Sequence, residues 1–433
     1  MKVGVENGPR GIGMRAGIAK HKITPPIGVD LTGYVARTGP SSKVHDDLFA
    51  TALVLDDGET RIGIVAIDIV GTDMAQDAAL RDAISKTTGI EPKHLLIASS
   101  HTHAGPAIGV LRECGDPDEA IVRRLWSQIV AAAKEANENL VEARLSYAQA
   151  ESDLARNRRS SGMITDRNTG ALLIEMEGRP SAQIFNYACH GVVLGGNNTE
   201  ISADWIGAAR EALESSGSVG TALFLQGCCG NINPPTHGAF DEVKRAGESV
   251  AKPLLDALAN AKPIEDPKIR VAWREVELPY LDLPSEQELA QEITFRRLEI
   301  EKAQAVGAAV DLKVHKAHLG WAKDALAMVD EDGGPESVRI GLQAIAVGGV
   351  VLAALPGEAF CEYGLEFRKM TDAGVLPVGY ANGNIGYIPT AEAYKEGGYE
   401  VNDAIKYYAV KMIGPESEGI ILEAMKGLMA EVE

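Results

Sequence analysis

The stretch TALVLDDGETRIGIVAIDIVG, residues 51–71, sets the fold. Two apolar, β-branched runs flank an Asp-Gly pair at Asp57 and Gly58, which predicts strand, tight turn, strand, ending at Asp68. ALLIEMEGRPSAQIFNYACHG, residues 171–191, repeats that design and ends at His190. IGLQAIAVGGVVLAALPGE, residues 340–358, is the third such segment and ends at Glu358. Two single strands join them: HLLIASSHTH runs out at His101 and His103, and ALFLQGCCGNINP at Gln226 and Asn231. In each case a buried strand stops and a polar or metal-binding residue follows at once, which is where α/β folds place their sites. Five strand ends are expected to converge.

Amphipathic helices are predicted near 72–87, 117–138, 203–215, 240–261, 285–330 in two pieces, 402–412 and 416–431. The one at Ser285 opens with a capping box, Glu288 standing three residues on. Helices interleave with strands throughout and the chain shows no tandem sequence repeat. The prediction is therefore a single mixed α/β unit over 1–433, a β-sheet core with flanking helices, with residues 285–330 as a helical insertion or outer layer.

Composition limits the function. Sixty-one acidic against forty-two basic residues leave a net charge of −19, which repels nucleic acid and anionic membranes. No apolar run approaches the ~18 residues of a membrane span, and the N-terminus carries no signal-peptide core, so a cytoplasmic protein without stable membrane association is expected. Five cysteines without CxxC spacing fit reduced thiols. HExxH, GxSxG and Walker A motifs are absent. The Gly-rich stretch at Gly11 follows no convincing strand, which disfavours a nucleotide cofactor.

In ASSHTHAGP, residues 98–106, an extended chain turns the imidazoles of His101 and His103 to the same side, before a stop at Gly105-Pro106. His21, His45, His94, His237, His315 and His318 read as structural side chains. Arg156, Arg158 and Arg159 read equally as a solvated loop, and Glu358 as part of an ordinary turn. A zinc site assembled from scattered strand ends, with histidine and carboxylate ligands, is the most economical chemistry.

SSHTHAGP, NYACHG followed by ISADWIGAARE, FLQGCCGNINP, LPGE and GYIPTAEAYKEGGYE, in this order, resemble the neutral ceramidase family of zinc-dependent amide hydrolases, as do AGIAKHKITPPIGVDLTGY and VHDDLFATALVLDDG near the start. The resemblance implies that His101, His190, Glu358 and Tyr387 hold Zn²⁺. It implies that His103 and Tyr399 act in catalysis, and that Arg158, with Arg159 as the neighbouring alternative, helps hold the substrate carbonyl. Asp204 then stands either behind a ligand histidine or as a plain helix cap. The family's C-terminal immunoglobulin-like domain has no counterpart in this sequence, which points away from ceramide towards a small soluble amide. Esterase or lactonase chemistry, ceramidase activity proper and a non-catalytic descendant stay open, as does homo-oligomer formation. Arg37, Arg156 and Arg159 are candidates to pair with a charged substrate.

Overall fold

In the computed structural model, which describes residues 13–159, 163–235, 237–330 and 334–433, the first hairpin forms where its sequence places it. Strand β1 (Arg15–Lys22) pairs antiparallel with β2 (Phe49–Asp56), which turns back into β3 (Arg61–Ile67). The Asp57 carboxylate closes the turn by accepting from the backbone N–H groups of Glu59 (2.9 Å) and Thr60 (2.7 Å). Helix α1 (Met74–Thr88) follows, capped by an Asp73/Gln76 box and stopped by left-handed Gly89. It leads to β4 (Leu95–Ser99), parallel to β3, and then to α2 (Glu119–Glu138).

The same order returns twice. The second unit comprises β5 (Val141–Glu151), β6 (Asn168–Met176), β7 (Ala182–Tyr187), α3 (Asp204–Ser215), β8 (Thr221–Gln226) and α4 (Phe240–Leu258). The third starts with β9 (Ile269–Pro279), then inserts α5 (Glu286–Val306) and α6 (Ala309–Asp330). It resumes with β10 (Ser337–Val347), β11 (Val350–Ala354), α7 (Cys361–Lys369), β12 (Gly374–Val378) and α8 (Ser417–Val432). In every unit the first three strands pair antiparallel and the last lies parallel to the third. No tandem repeat is visible in the sequence because the units share hydrogen-bonding order rather than residue identity.

Pairing of β1 with β5 (Arg15↔Glu142, Ala16↔Val141) fuses the first two units into one sheet, ordered β8-β7-β6-β5-β1-β2-β3-β4; the third unit makes its own sheet, β9-β10-β11-β12. Leu53, Leu172, Leu223, Ile345 and Leu352 pack between the sheets, each fully buried aliphatic stabilising by about 1.5–3 kcal/mol. The outer faces are covered by α1 and α2, α3 and α4, and α7 and α8 respectively.

The capping box at Ser285 and Glu288 is present and the pair α5 and α6 occupies 285–330 as expected. The helix expected over 402–412 is instead two short turns, Tyr399–Asn402 and Ala404–Tyr408, ended by left-handed Ala409. Beyond it the chain is drawn into extended pairing, with an isolated bridge between Tyr280 and Ile413. The Gly-rich stretch at Gly11 begins outside the described residues. Among the described residues no helix is long and apolar enough to cross a membrane.

Candidate metal centre

The ends of β4, β7, β11 and β12 meet at one point. Gln226, the last residue of β8, ties two of them together by donating from Nε2 to the carbonyls of Ser100 (3.1 Å) and Cys189 (2.9 Å). The backbone N–H of Ser99 donates to the Tyr380 carbonyl (3.1 Å), and that of Gly379 to Gln226 (3.0 Å). His101 and Tyr380 each stand two residues beyond the last strand of their unit, both in the left-handed region (φ 62° and 53°), and their rings stack with centroids 4.1 Å apart.

This junction gathers His101, His103 and His190, whose ring nitrogens lie within 4.8 Å of one another. The Nδ1 of His101 donates to the Val70 carbonyl (2.5 Å) and that of His190 to Ile232 (2.9 Å). Those carbonyl partners fix the proton on Nδ1 and turn an Nε2 lone pair inward on each ring. His103 Nε2 sits 3.1 Å from His101 Nε2, and Glu358 Oε2 lies 3.1 Å from His190 Nε2 and 3.4 Å from His101 Nε2. Inward lone pairs and a buried carboxylate oxygen at these distances repel one another unless a cation lies among them. The donor set of imidazole nitrogens and carboxylate oxygen therefore fits a divalent metal such as zinc.

Burial drives these titrations. It pushes His190 down to about 4 against the opposing bond to Glu358, and holds His103 well below the ordinary histidine value, with the neighbouring His101 adding to the effect. For Glu358 burial acts upward, but His101 and His190 prevail and keep the carboxyl well below the usual range.

The cavity over this cluster has a volume of about 280 Å³ and is lined by Arg158, Tyr387 and Tyr399 as well as the three histidines and Glu358. Arg158 reaches it from the loop between β5 and β6. Its Nη2 donates to Gly230 O (2.8 Å) and Tyr387 OH (3.0 Å), and its Nε to Glu400 Oε1 (2.9 Å). Arg159 points away from the cavity. It donates to Glu400 (2.6 Å), Glu396 (3.1 Å) and the Gly397 carbonyl (2.8 Å), anchoring the segment that presents Tyr399.

His103 is held from the first unit's loop. Tyr34 meets its ring edge-on at 5.0 Å. Gly33 has φ +97° and lies so close that a Cβ would come within 2.5 Å of the His103 ring, so both space and backbone demand glycine there. Arg37 is buried and spends its guanidinium on the carbonyls of Thr32, His103 and Asn198 (each 2.7 Å), which removes it as a substrate-pairing cation. Arg156 is bonded to Asp153 O and Ala155 O, outside the cavity lining.

Other expected residues are structural. Asp68 accepts from Arg210 Nη1 (2.9 Å) and Phe49 N (2.9 Å), and Asn231 joins Cys361 N to the Glu362 carboxylate. Asp204 touches no imidazole. Its carboxylate accepts from the backbone of Val193 (3.1 Å), Leu194 (2.9 Å) and Trp205 (2.7 Å) and fixes the turn after His190. Tyr380, Tyr408 and Tyr34 were not singled out in the sequence. Tyr380 follows a strand end in the way His101 does, a positional signal that could have found it, whereas Tyr408 sits in what reads as ordinary helix.

A family model described as neutral/alkaline non-lysosomal ceramidase, N-terminal, matches residues 14–253. Among solved structures, the neutral ceramidase from Pseudomonas aeruginosa is similar at 18% identity and a TM-score of 0.74, over 96% of this chain and 74% of that one. A structure described as ceramidase complexed with C2 is similar at 17% identity and a TM-score of 0.72, over 96% and 75%. No curated protein sequence matches.

Proposed function

Because the chain belongs to the neutral/alkaline non-lysosomal ceramidase family, we propose that it is a zinc-dependent hydrolase cleaving an amide bond in a small, soluble substrate in the cytoplasm. The observation that carries the reading is the inward-facing set of buried imidazoles against the Glu358 carboxylate. His101, His190 and Glu358 would hold Zn²⁺, with Tyr387 as a further oxygen donor. Zn²⁺ in such a setting supplies Lewis acidity and a water acidified towards neutral pH.

The remaining steps fall to the chain's own groups. His103, kept neutral by burial, takes the proton of the attacking water at Nε2 and returns it to the departing amine nitrogen, without which an amide's leaving group would be a strongly basic anion. Arg158 is held charged by its bonds to Tyr387 and Glu400. It donates, together with the Tyr399 hydroxyl, to the oxygen that gains charge in the tetrahedral intermediate. The cavity, about 280 Å³, lies at the small end of ligand pockets, which suits a compact substrate.

The test is a hydrolysis panel run on metal-replete protein: soluble N-acyl amino acids, cyclic amides, simple esters and long-chain ceramide. Cleavage of a soluble amide with no need for detergent is expected. Preference for ceramide would overturn the substrate class, and activity confined to esters or lactones would overturn the amide assignment.

A further inference from the structure

Glu358 has two oxygens, and the structure uses them differently. Oε2 faces His101 and His190 and also accepts from the Tyr380 hydroxyl (3.2 Å). Oε1 accepts from the hydroxyl of Tyr408. The Tyr408 oxygen is also in reach of Asn384 Nδ2 (3.4 Å), which can donate to it and leaves its proton for the carboxylate. Tyr408 stands on the last turn of a short helix, Ala404–Tyr408. The chain around that turn is held from two sides: Trp321 Nε1 of α6 donates to the Val410 carbonyl (3.3 Å), and the Arg112 N–H donates to Tyr407 O (2.8 Å).

We infer that Tyr408 is a positioning residue for the metal centre, holding Glu358 through Oε1 so that Oε2, turned towards His101 and His190, is the oxygen presented to a cation, with α6 bracing the turn that carries it. The inference rests on the proposed metal site. The physical reason is geometric: a carboxylate with both oxygens available can chelate a divalent ion and fill a position that a hydrolytic centre needs for water. A hydrogen bond to one oxygen also fixes the plane of the ligand, and partners of this kind are commonly worth 10- to 100-fold in metal affinity or activity.

The experiment compares Tyr408→Phe with Tyr394→Phe. The Tyr394 hydroxyl donates to the Ile413 carbonyl (2.7 Å), an internal bond outside the cavity lining. It therefore controls for the loss of an internal phenol. Zn²⁺ affinity is measured by competition with a chromophoric chelator, and the visible absorption of Co²⁺-loaded protein reports the ligand arrangement. Tyr408→Phe is expected to change Zn²⁺ affinity by about 10- to 100-fold and to alter the Co²⁺ spectrum, with Tyr394→Phe matching wild type in both. Circular dichroism identifies any variant that fails to fold. In that case Trp321→Phe, which removes the indole N–H bond to Val410 O and leaves the Arg112 bond to Tyr407 O in place, is expected to shift the Co²⁺ spectrum in the same direction. Wild-type Zn²⁺ affinity and spectrum in the folded Tyr408→Phe protein, or in Trp321→Phe if it is needed, would overturn the inference alone. Failure of the wild-type protein to bind Zn²⁺ or Co²⁺ would overturn the metal site and the inference with it.

Discussion

Within each unit of this fold, the strand ends and the insertion between the first and second strands have opposite characters. The ends of β4, β7 and β11 carry His101, His190 and Glu358, all nearly excluded from solvent, with the ring Nδ1 atoms committed to backbone carbonyls. The insertions between the first and second strands differ in kind: the first two are loops with a two-residue strand each, Lys43–Val44 and Arg156–Asn157, and the third is the α5 and α6 pair. The first brings Gly33 and Tyr34 against His103, and the second brings Arg158 into the cavity. The third is a helical pair, none of whose described residues lines the cavity, and it holds the chain just beyond the Tyr399–Tyr408 segment that does. A buried floor of strand ends holds His101, His190 and Glu358 together, while walls drawn from three different insertions line or support the cavity above them, the division of labour expected of α/β folds.

Substitutions on the floor and on the walls should therefore fail in different ways. The largest effect belongs to the floor: His190→Ala should abolish stoichiometric metal and lower turnover by roughly 1,000-fold or more, read by elemental analysis alongside the rate. His103 stands at the boundary. His103→Ala should keep the metal and lower kcat by about 100-fold or more, and loss of metal from that variant would move His103 onto the floor as a ligand.

A wall residue that touches the boundary comes next. Gly33→Ala forces a Cβ against the His103 ring and puts a side chain at positive φ. It should cost about 1–3 kcal/mol in denaturant unfolding and lower kcat with metal content unchanged. A lost metal would show that floor and wall are not separable.

The smallest effect lies in the third insertion. His318 of α6 is pushed down to about 4 by burial, with Lys406 and Arg296 adding to it. Because the unfolded chain takes up this proton near pH 6.5 and the folded chain only near 4, stability falls as pH drops through that window. His318→Gln should reduce that acid loss by roughly 1–2 kcal/mol without touching metal content, as urea melts at pH 7 and pH 4.5 would show.

Much of the floor was legible in the sequence because strands announce their ends. Apolar, β-branched runs that stop at a polar residue point to His190 and Glu358, and the i, i+2 spacing in HTH points to His101 and His103. The walls were less legible. Nothing local distinguishes Arg158 from Arg159, since their opposite directions are set by Glu400 and Gly230, far away in sequence. Asp204 looked like a cap or a histidine partner and proved to hold backbone after His190. The broken helix around Tyr408 escaped notice because its pattern is helical, whereas the left-handed stop at Ala409 goes with contacts far away in sequence, to Arg112, α6 and Glu358.

The central claim is that the strand ends hold one metal ion, and X-ray diffraction from crystals of the zinc-loaded protein on both sides of the zinc absorption edge tests it most directly. One anomalous peak is expected among His101 Nε2, His190 Nε2 and Glu358 Oε2, within about 2.3 Å of each. A zinc-loaded crystal with no peak there, or with its only peak at another group of residues, would contradict it.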